Sequence, residues 1–135
     1  MLLTLFKSKL HQLKITEAQL HYEGSITLDP DLMEAANILP YEKVLIVNIN
    51  NGSRLETYTI VGDRGSKVCC LNGPSARLNA VGDRIIVMAW AQLTPEEVKN
   101  HKPRVVVTDE NNNIKTIDND SVHHRSFSLA TGLAE

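Results

Sequence analysis

The sequence predicts a mainly β domain, closed into a barrel and joined by short helices, on three observations. Eight short runs are rich in Val, Ile, Leu, Thr and Tyr; Gly, Asn and Asp turn signals separate them; and two helix-start signals are each followed by only a few helical residues. Closure is the way a small sheet removes its exposed edges, which is why a barrel is expected. Periodicity alone does not give the strand order.

The elements follow in order. Residues 2–6, 10–15 and 25–28 form the first three runs. Asp29 then caps a helix that begins at Pro30 and runs through Leu32, Met33 and Ala36 to Asn37, since an Asp side chain accepts from the first free N–H groups and Pro fits the first turn. Runs at 44–49 and 55–61 flank Asn51-Gly52, a hairpin signal of the type I′ kind, in which both central residues take positive φ. Gly62-Asp63-Arg64-Gly65 leads to the run 67–71, Asn72-Gly73-Pro74 ends it, and Gly82-Asp83 precedes 84–91. Thr94 caps a second helix starting at Pro95, the run 104–108 follows, and Asn111-Asn112-Asn113 is expected at a hairpin tip. Residues 1–117 are read as one domain and 118–135 as an irregular, loosely held tail.

With 135 residues the chain is long enough for one core and does not require a second domain. Fourteen basic against sixteen acidic residues, and 4% aromatics, give no basic stripe with stacking residues, so neither a nucleic-acid nor a membrane partner is expected. Lys7, Lys9 and Lys14, with His11 and His21, make the first 24 residues locally basic, which suits either an anion site or an edge strand protected by lysines. Cys69 and Cys70 are adjacent, a spacing that disfavours a disulfide between them, and read as buried strand thiols. The apolar start is broken by Lys7, too early for a secretory core, so a cytoplasmic protein is expected. His123-His124 has no partner set at ligand spacing, and no metal is expected.

Gly24-Ser25, within Tyr22-Glu23-Gly24-Ser25-Ile26-Thr27, carries the chemistry. Taken alone the pair is a turn or a flexible step. In a strained peptide, however, the Ser25 hydroxyl can attack the unhindered Gly24 carbonyl, converting amide to ester. Elimination and hydrolysis then leave a pyruvoyl group where Ser25 stood. Such a ketone forms a Schiff base with an amine and withdraws electrons from it.

Around this pair stand Lys9 and His11, two apart and on one side of an extended strand, and Arg54 and Tyr58, four apart and also on one side. Thr57 faces away, so either a bulge re-aims it or the site lies where two faces or two subunits meet. Taken singly, Tyr58 is a core aromatic, Arg54 a solvated charge, His11 a satisfied strand histidine and Asn72-Gly73 a turn. Together, Lys9-Leu10-His11, Tyr22 to Thr27, Asn51-Gly52, Arg54, Thr57-Tyr58, Arg64-Gly65-Ser66 and Leu71-Asn72-Gly73 closely resemble the pyruvoyl-dependent aspartate 1-decarboxylases, over residues 1–103.

The resemblance implies a double-psi β-barrel and a homotetramer with sites between subunits. It implies decarboxylation of L-aspartate to β-alanine for pantothenate and coenzyme A synthesis, after self-cleavage into a β chain of residues 1–24 and an α chain of 25–135. Ser25 becomes the covalent pyruvoyl cofactor and Tyr58 matches the proton donor. Thr57 matches a residue that aids processing and touches substrate, and Gly73, Pro74 and Ser75 a substrate-binding loop. Lys9 and Arg54 match positive residues near carboxylates, with His11, Tyr22, Asn72 and Ala76 in support. A run of alanines is usual after Asn-Gly; here Pro74 removes a backbone donor. A maturation factor is compatible with the sequence, but nothing in it marks one. A non-catalytic barrel binding module and a serine hydrolase are the rival readings, the latter without a nucleophile elbow.

Overall fold

The computed structural model describes residues 1–118 and, beyond them, the backbone of two short paired strands. The strands are β1 (Leu3–Lys14), β2 (Glu17–Gln19), β3 (Ser25–Leu28), β4 (Lys43–Asn48), β5 (Arg54–Val61), β6 (Cys69–Asn72), β7 (Arg84–Leu93), β8 (Arg104–Thr108) and β9 (Ile114–Asp118). Three helices connect them: α1 (Pro30–Ala36), α2 (Ser75–Leu78) and α3 (Pro95–Val98). The fold is mainly β with short helices, as expected. The tail predicted at 118–135 lies outside the described residues, apart from Asp118 in β9 and the pair β10 (Phe127–Ser128) and β11 (Leu133–Ala134). His123-His124 lies outside them too.

One sheet runs β2-β6-β3-β5-β4-β7-β1-β8-β9. Three of its pairs are parallel, β1 with β8, β2 with β6 and β3 with β5, so the chain crosses over repeatedly and is not a simple meander. The core lies against one face, where Leu10, Ile26, Leu28, Ile46, Leu71 and Val87 are all completely or almost completely buried.

The first two predicted runs are one twelve-residue strand. Lys7 sits at a register shift between Phe6 and Ser8 and reaches Glu42 at 2.7 Å, so the charged stretch is accommodated within the strand instead of ending it. A second shift lies between Leu10 and Leu13, where Gln12 takes φ 69°. The sequence misses β2 and β9 because their side chains are almost all exposed and supply no apolar alternation.

Asp29 does cap α1, accepting from Asp31 N–H at 2.8 Å, and Asn37 ends it in the left-handed region. Asp29 also accepts from the N–H groups of Gly65 and Lys67, tying the loop before β6 to the helix start. Burial resists ionisation of Asp29, but the three N–H groups and Arg64 outweigh it and hold its carboxyl below the ordinary range. α3 carries a full capping box between Thr94 and Glu97. The Asn51-Gly52 hairpin forms between β4 and β5, but only Gly52 has positive φ. Its N–H donates to Asn48 O at 2.8 Å, so the connection is a wider turn than type I′.

Candidate active site

Three Gly-Ser pairs occur in the chain, at 24-25, 52-53 and 65-66. Ser53 is half-buried beside a hairpin tip and Ser66 is exposed, whereas Ser25 is completely buried at the first position of β3. A buried hydroxyl needs a partner. Asn72 Nδ2 donates to Ser25 Oγ at 2.8 Å.

Strand register explains that contact. Ser25 lies opposite Asn72 in the antiparallel β3–β6 pair, so both side chains leave the sheet on the same face. Two residues along, Thr27 lies opposite Cys70 on that face. The second N–H of Asn72 reaches Thr27 Oγ1 at 2.9 Å, and the Cys70 thiol donates to Asn72 Oδ1 at 3.3 Å. Burial and Glu17 both push the Cys70 thiol up, so it keeps its proton. Burial acts in the same direction on Cys69, reinforced by Cys70.

The loop after Asn72 folds over the peptide that precedes Ser25. Gly73 has φ 61°, and a Cβ there would stand 2.5 Å from the carbonyl oxygen of Tyr22 and 2.9 Å from the nitrogen of Gly24. Only glycine fits such an approach. The Gly73 N–H donates to Gln19 O at 2.8 Å, fixing the loop to the end of β2. Pro74 packs its Cδ 3.4 Å from where a Cβ on Gly24 would lie. The φ of Pro74 is −57°, natural for proline, and it leads into α2, where Ser75 is buried and Ala76 N–H donates back to Gly73 O at 2.9 Å. Helix α2 is absent from the sequence reading because one turn after a proline has no amphipathic period to detect.

Across the sheet, β3 runs parallel to β5 with Ile26 opposite Thr59, which sets Tyr58 level with Ser25. Along β5 exposure alternates: Arg54, Glu56 and Tyr58 are exposed, while Thr57 is half-buried and Thr59 fully buried. No register shift interrupts β5, so no bulge re-aims Thr57; it packs opposite Val44 on the other face. Lys9 pairs with Met88, Met88 with Leu45, and Leu45 with Glu56, so Lys9, Arg54 and Tyr58 share the outward face of one sheet. Lys9 is nevertheless four strands from Ser25 in sheet order, with its ammonium 5.3 Å from the centre of the Phe6 ring. His11 lies half-buried on the same outward side of β1, lining a polar cleft with Gln12, Arg84, Thr108 and Asp109. Tyr22 is exposed by its side chain while its carbonyl faces Gly73.

Within one chain the structure therefore gathers Tyr22, Gly24, Ser25, Asn72, Gly73, Pro74, Ser75 and Ala76, places Tyr58 level with Ser25, and leaves Lys9 and His11 apart. Thr27 and Cys70 were missed as contributors. Their signal was present as the i, i+2 spacings Ser25/Thr27 and Cys70/Asn72 on neighbouring strands. Arg64, part of the sequence resemblance, binds Asp31 at 2.5 Å and Glu34 at 2.7 Å on α1. That contact lowers the Glu34 carboxyl below its usual range. Among the described residues no three His, Cys, Asp or Glu side chains are placed to hold a metal ion. Nor is any described helix long and apolar enough to cross a membrane.

Comparison with known proteins adds the family. A family model described as aspartate decarboxylase matches residues 1–115. The aspartate 1-decarboxylase of Salinibacter ruber is 59% identical over 119 residues, covering 86% of this chain and 82% of the relative. That of Ruminiclostridium cellulolyticum is 54% identical over 121 residues, covering 90% and 94%. Among solved structures, the computationally designed msDPBB_sym2 protein aligns with 64% of this chain and 99% of its own, at 16% identity and a TM-score of 0.44. From the match of the family model and the identity to these relatives, the chain belongs to the aspartate decarboxylase family.

Proposed function

We propose that the protein is a self-processing aspartate 1-decarboxylase that converts L-aspartate to β-alanine and carbon dioxide for pantothenate and coenzyme A synthesis. The observation that carries this reading is the completely buried Ser25 hydroxyl, held at 2.8 Å by Asn72 directly after the glycine enclosed by Gly73 and Pro74. Packing of this kind favours attack of Ser25 Oγ on the Gly24 carbonyl over solvolysis, because the two groups are confined together and water is kept out. Cleavage yields a β chain of residues 1–24 and an α chain of 25–135, with the pyruvoyl cofactor at position 25.

The residues at this position fit that group, since a serine behind an unhindered glycine carbonyl is its own precursor. When formed, the pyruvoyl group supplies an electron sink for a bound amine. The rest falls to side chains of the protein. Arg54 holds a substrate carboxylate through its planar fork of donors, and Lys9 contributes a second positive charge. Tyr58, level with the position of Ser25, gives the proton that completes β-alanine. Thr57 assists processing and touches substrate, and the backbone of Gly73, Pro74 and Ser75 borders the substrate. Pro74 acts there through its carbonyl and its shape. His11, Tyr22, Asn72 and Ala76 support the site.

A homotetramer with sites between subunits completes this picture. Lys9, Arg54 and Tyr58 lie on the same outward sheet face as Leu45, Met88 and the exposed Trp90, a face that a second copy would cover. Incubation with labelled aspartate and borohydride, followed by intact-mass measurement and peptide mapping, tests the proposal. Two chains with label on the peptide beginning at position 25 are expected. A single unlabelled chain refutes it, as does full activity in Ser25→Ala.

A further inference from the structure

We propose that Asn79 is a positioning residue for substrate binding: together with Asn48 it fastens helix α2, and with it the backbone of Gly73, Pro74 and Ser75, to the β4–β5 hairpin beside Arg54. This rests on the reading of Arg54 and the Gly73 to Ser75 loop as substrate-binding groups given above.

Two buried asparagines meet at the end of α2. Asn79 Nδ2 donates to Ser75 O at 2.8 Å, and Asn79 Oδ1 accepts from Asn48 Nδ2 at 2.9 Å. The second N–H of Asn48 reaches Asp83 Oδ2 at 2.9 Å, an oxygen that also accepts from the Ala80 N–H at 3.0 Å. Asn48 Oδ1 accepts from the N–H groups of Asn50 at 2.8 Å and Asn51 at 3.1 Å. The direction of this chain is fixed at both ends. A backbone carbonyl only accepts and a backbone N–H only donates, so Ser75 O requires the Asn79 NH2 and the hairpin N–H groups require Asn48 Oδ1. The two amides then meet NH2 to oxygen. A satisfied buried network of this kind holds the elements it joins in one arrangement.

What the network joins are two parts of the proposed site. Ser75 opens α2 directly after Gly73 and Pro74, and Asn48 ends β4, where the preceding Val47 lies opposite Arg54, the first residue of β5. A second tie runs beside the first: Asn51 Nδ2, in the hairpin turn, donates at 2.8 Å to the carbonyl of Leu78, the last residue of α2. The start of α2 has no side-chain cap, and the loop before it is held by the Gly73 N–H on Gln19 O. The two ends of the segment therefore serve different steps. The Gln19 contact keeps the loop over Gly24, where cleavage is proposed, and the asparagine contacts set the span between the substrate-binding backbone and the base of Arg54.

The test is steady-state decarboxylation of aspartate by wild type, Asn79→Ala and Asn51→Ala, joined to amide hydrogen exchange of the peptide covering residues 73–79, a readout that needs no turnover. Asn79→Ala is expected to raise KM for aspartate by about threefold or more, while kcat and the half-time of self-cleavage stay within about twofold of wild type, because the tie is lost and no contact of Ser25 is touched. Exchange across 73–79 is expected to quicken by about the same factor. A merely structural role predicts fewer active molecules, and so a lower apparent kcat at unchanged KM. That result, or unchanged exchange across 73–79 in Asn79→Ala, overturns the proposal. Asn51→Ala, at an exposed position, serves where Asn79→Ala does not fold: a raised KM with quickened exchange supports the tie, and an unchanged KM opposes it. Wild-type protein that turns over no aspartate overturns the function proposed above and this inference with it, whereas an active wild type matched in KM by Asn79→Ala overturns the positioning role alone.

Discussion

Tyr58 and Gly73 separate two requirements of the site, chemistry and enclosure. Tyr58 stands level with Ser25 but makes no part of the Asn72 network, so Tyr58→Phe is expected to leave cleavage near the wild-type rate. Formation of β-alanine by the cleaved enzyme should fall by about a hundredfold or more, as loss of a general acid commonly does; unchanged turnover would remove Tyr58 from that role. Gly73 is expected to behave oppositely. An alanine there meets backbone on Tyr22 and Gly24 and must also hold positive φ, so Gly73→Ala should lower stability by about 2–3 kcal/mol and block cleavage. Denaturant melting and intact mass check both effects. The sequence marks Tyr58 and Gly73 alike through the family resemblance. It does not reveal that Gly73 is required because the carbonyl of Tyr22 leaves no room for a side chain.

Helix α1 shows what short-range chemistry discloses and what it hides. Its start at Pro30 and its left-handed end at Asn37 are both legible, since caps are written in a few consecutive residues. That the same Asp29 carboxylate also receives Gly65 and Lys67 is not, because those donors lie more than thirty residues away. Asp29→Ala is therefore expected to cost about 2 kcal/mol or more, beyond an ordinary cap, as it strands three N–H groups. The carboxyl of Asp29 is depressed in the folded chain, so its contribution is complete well above the ordinary carboxylate range. It should shrink as pH falls below about 4, where the unfolded chain takes up the proton first. Urea melts of wild type and variant between acid and neutral pH should show curves that converge on the acid side; a gap that widens there would contradict the assignment. Exposed strands β2 and β9 stayed hidden for the complementary reason: their pairing is backbone to backbone and leaves no apolar pattern in the side chains.

For the chain as a whole, the strands that carry the core were legible and strand order was not. Buried positions such as Leu10, Ile26 and Val87 announce themselves by alternation, while the parallel pairing of β3 with β5 depends on crossovers that periodicity does not encode. The half of the site that a single chain assembles and the half it leaves on an outward face have the same origin. Residues near Ser25 in sheet order come together, and Lys9, four strands away, does not. Sedimentation or light scattering should therefore return four chain masses for the proposed enzyme, and a monomer active in solution would refute sites shared between subunits. Ser25 is the first residue of β3, and the segment before it returns to the sheet through β1 and β2, paired with β7, β8 and β6. A scission at that point divides no strand. Pieces severed there would stay interlaced like two threads of one weave, each pinned by neighbours belonging to the other, so the proposed opening of the backbone would not pull the protein apart.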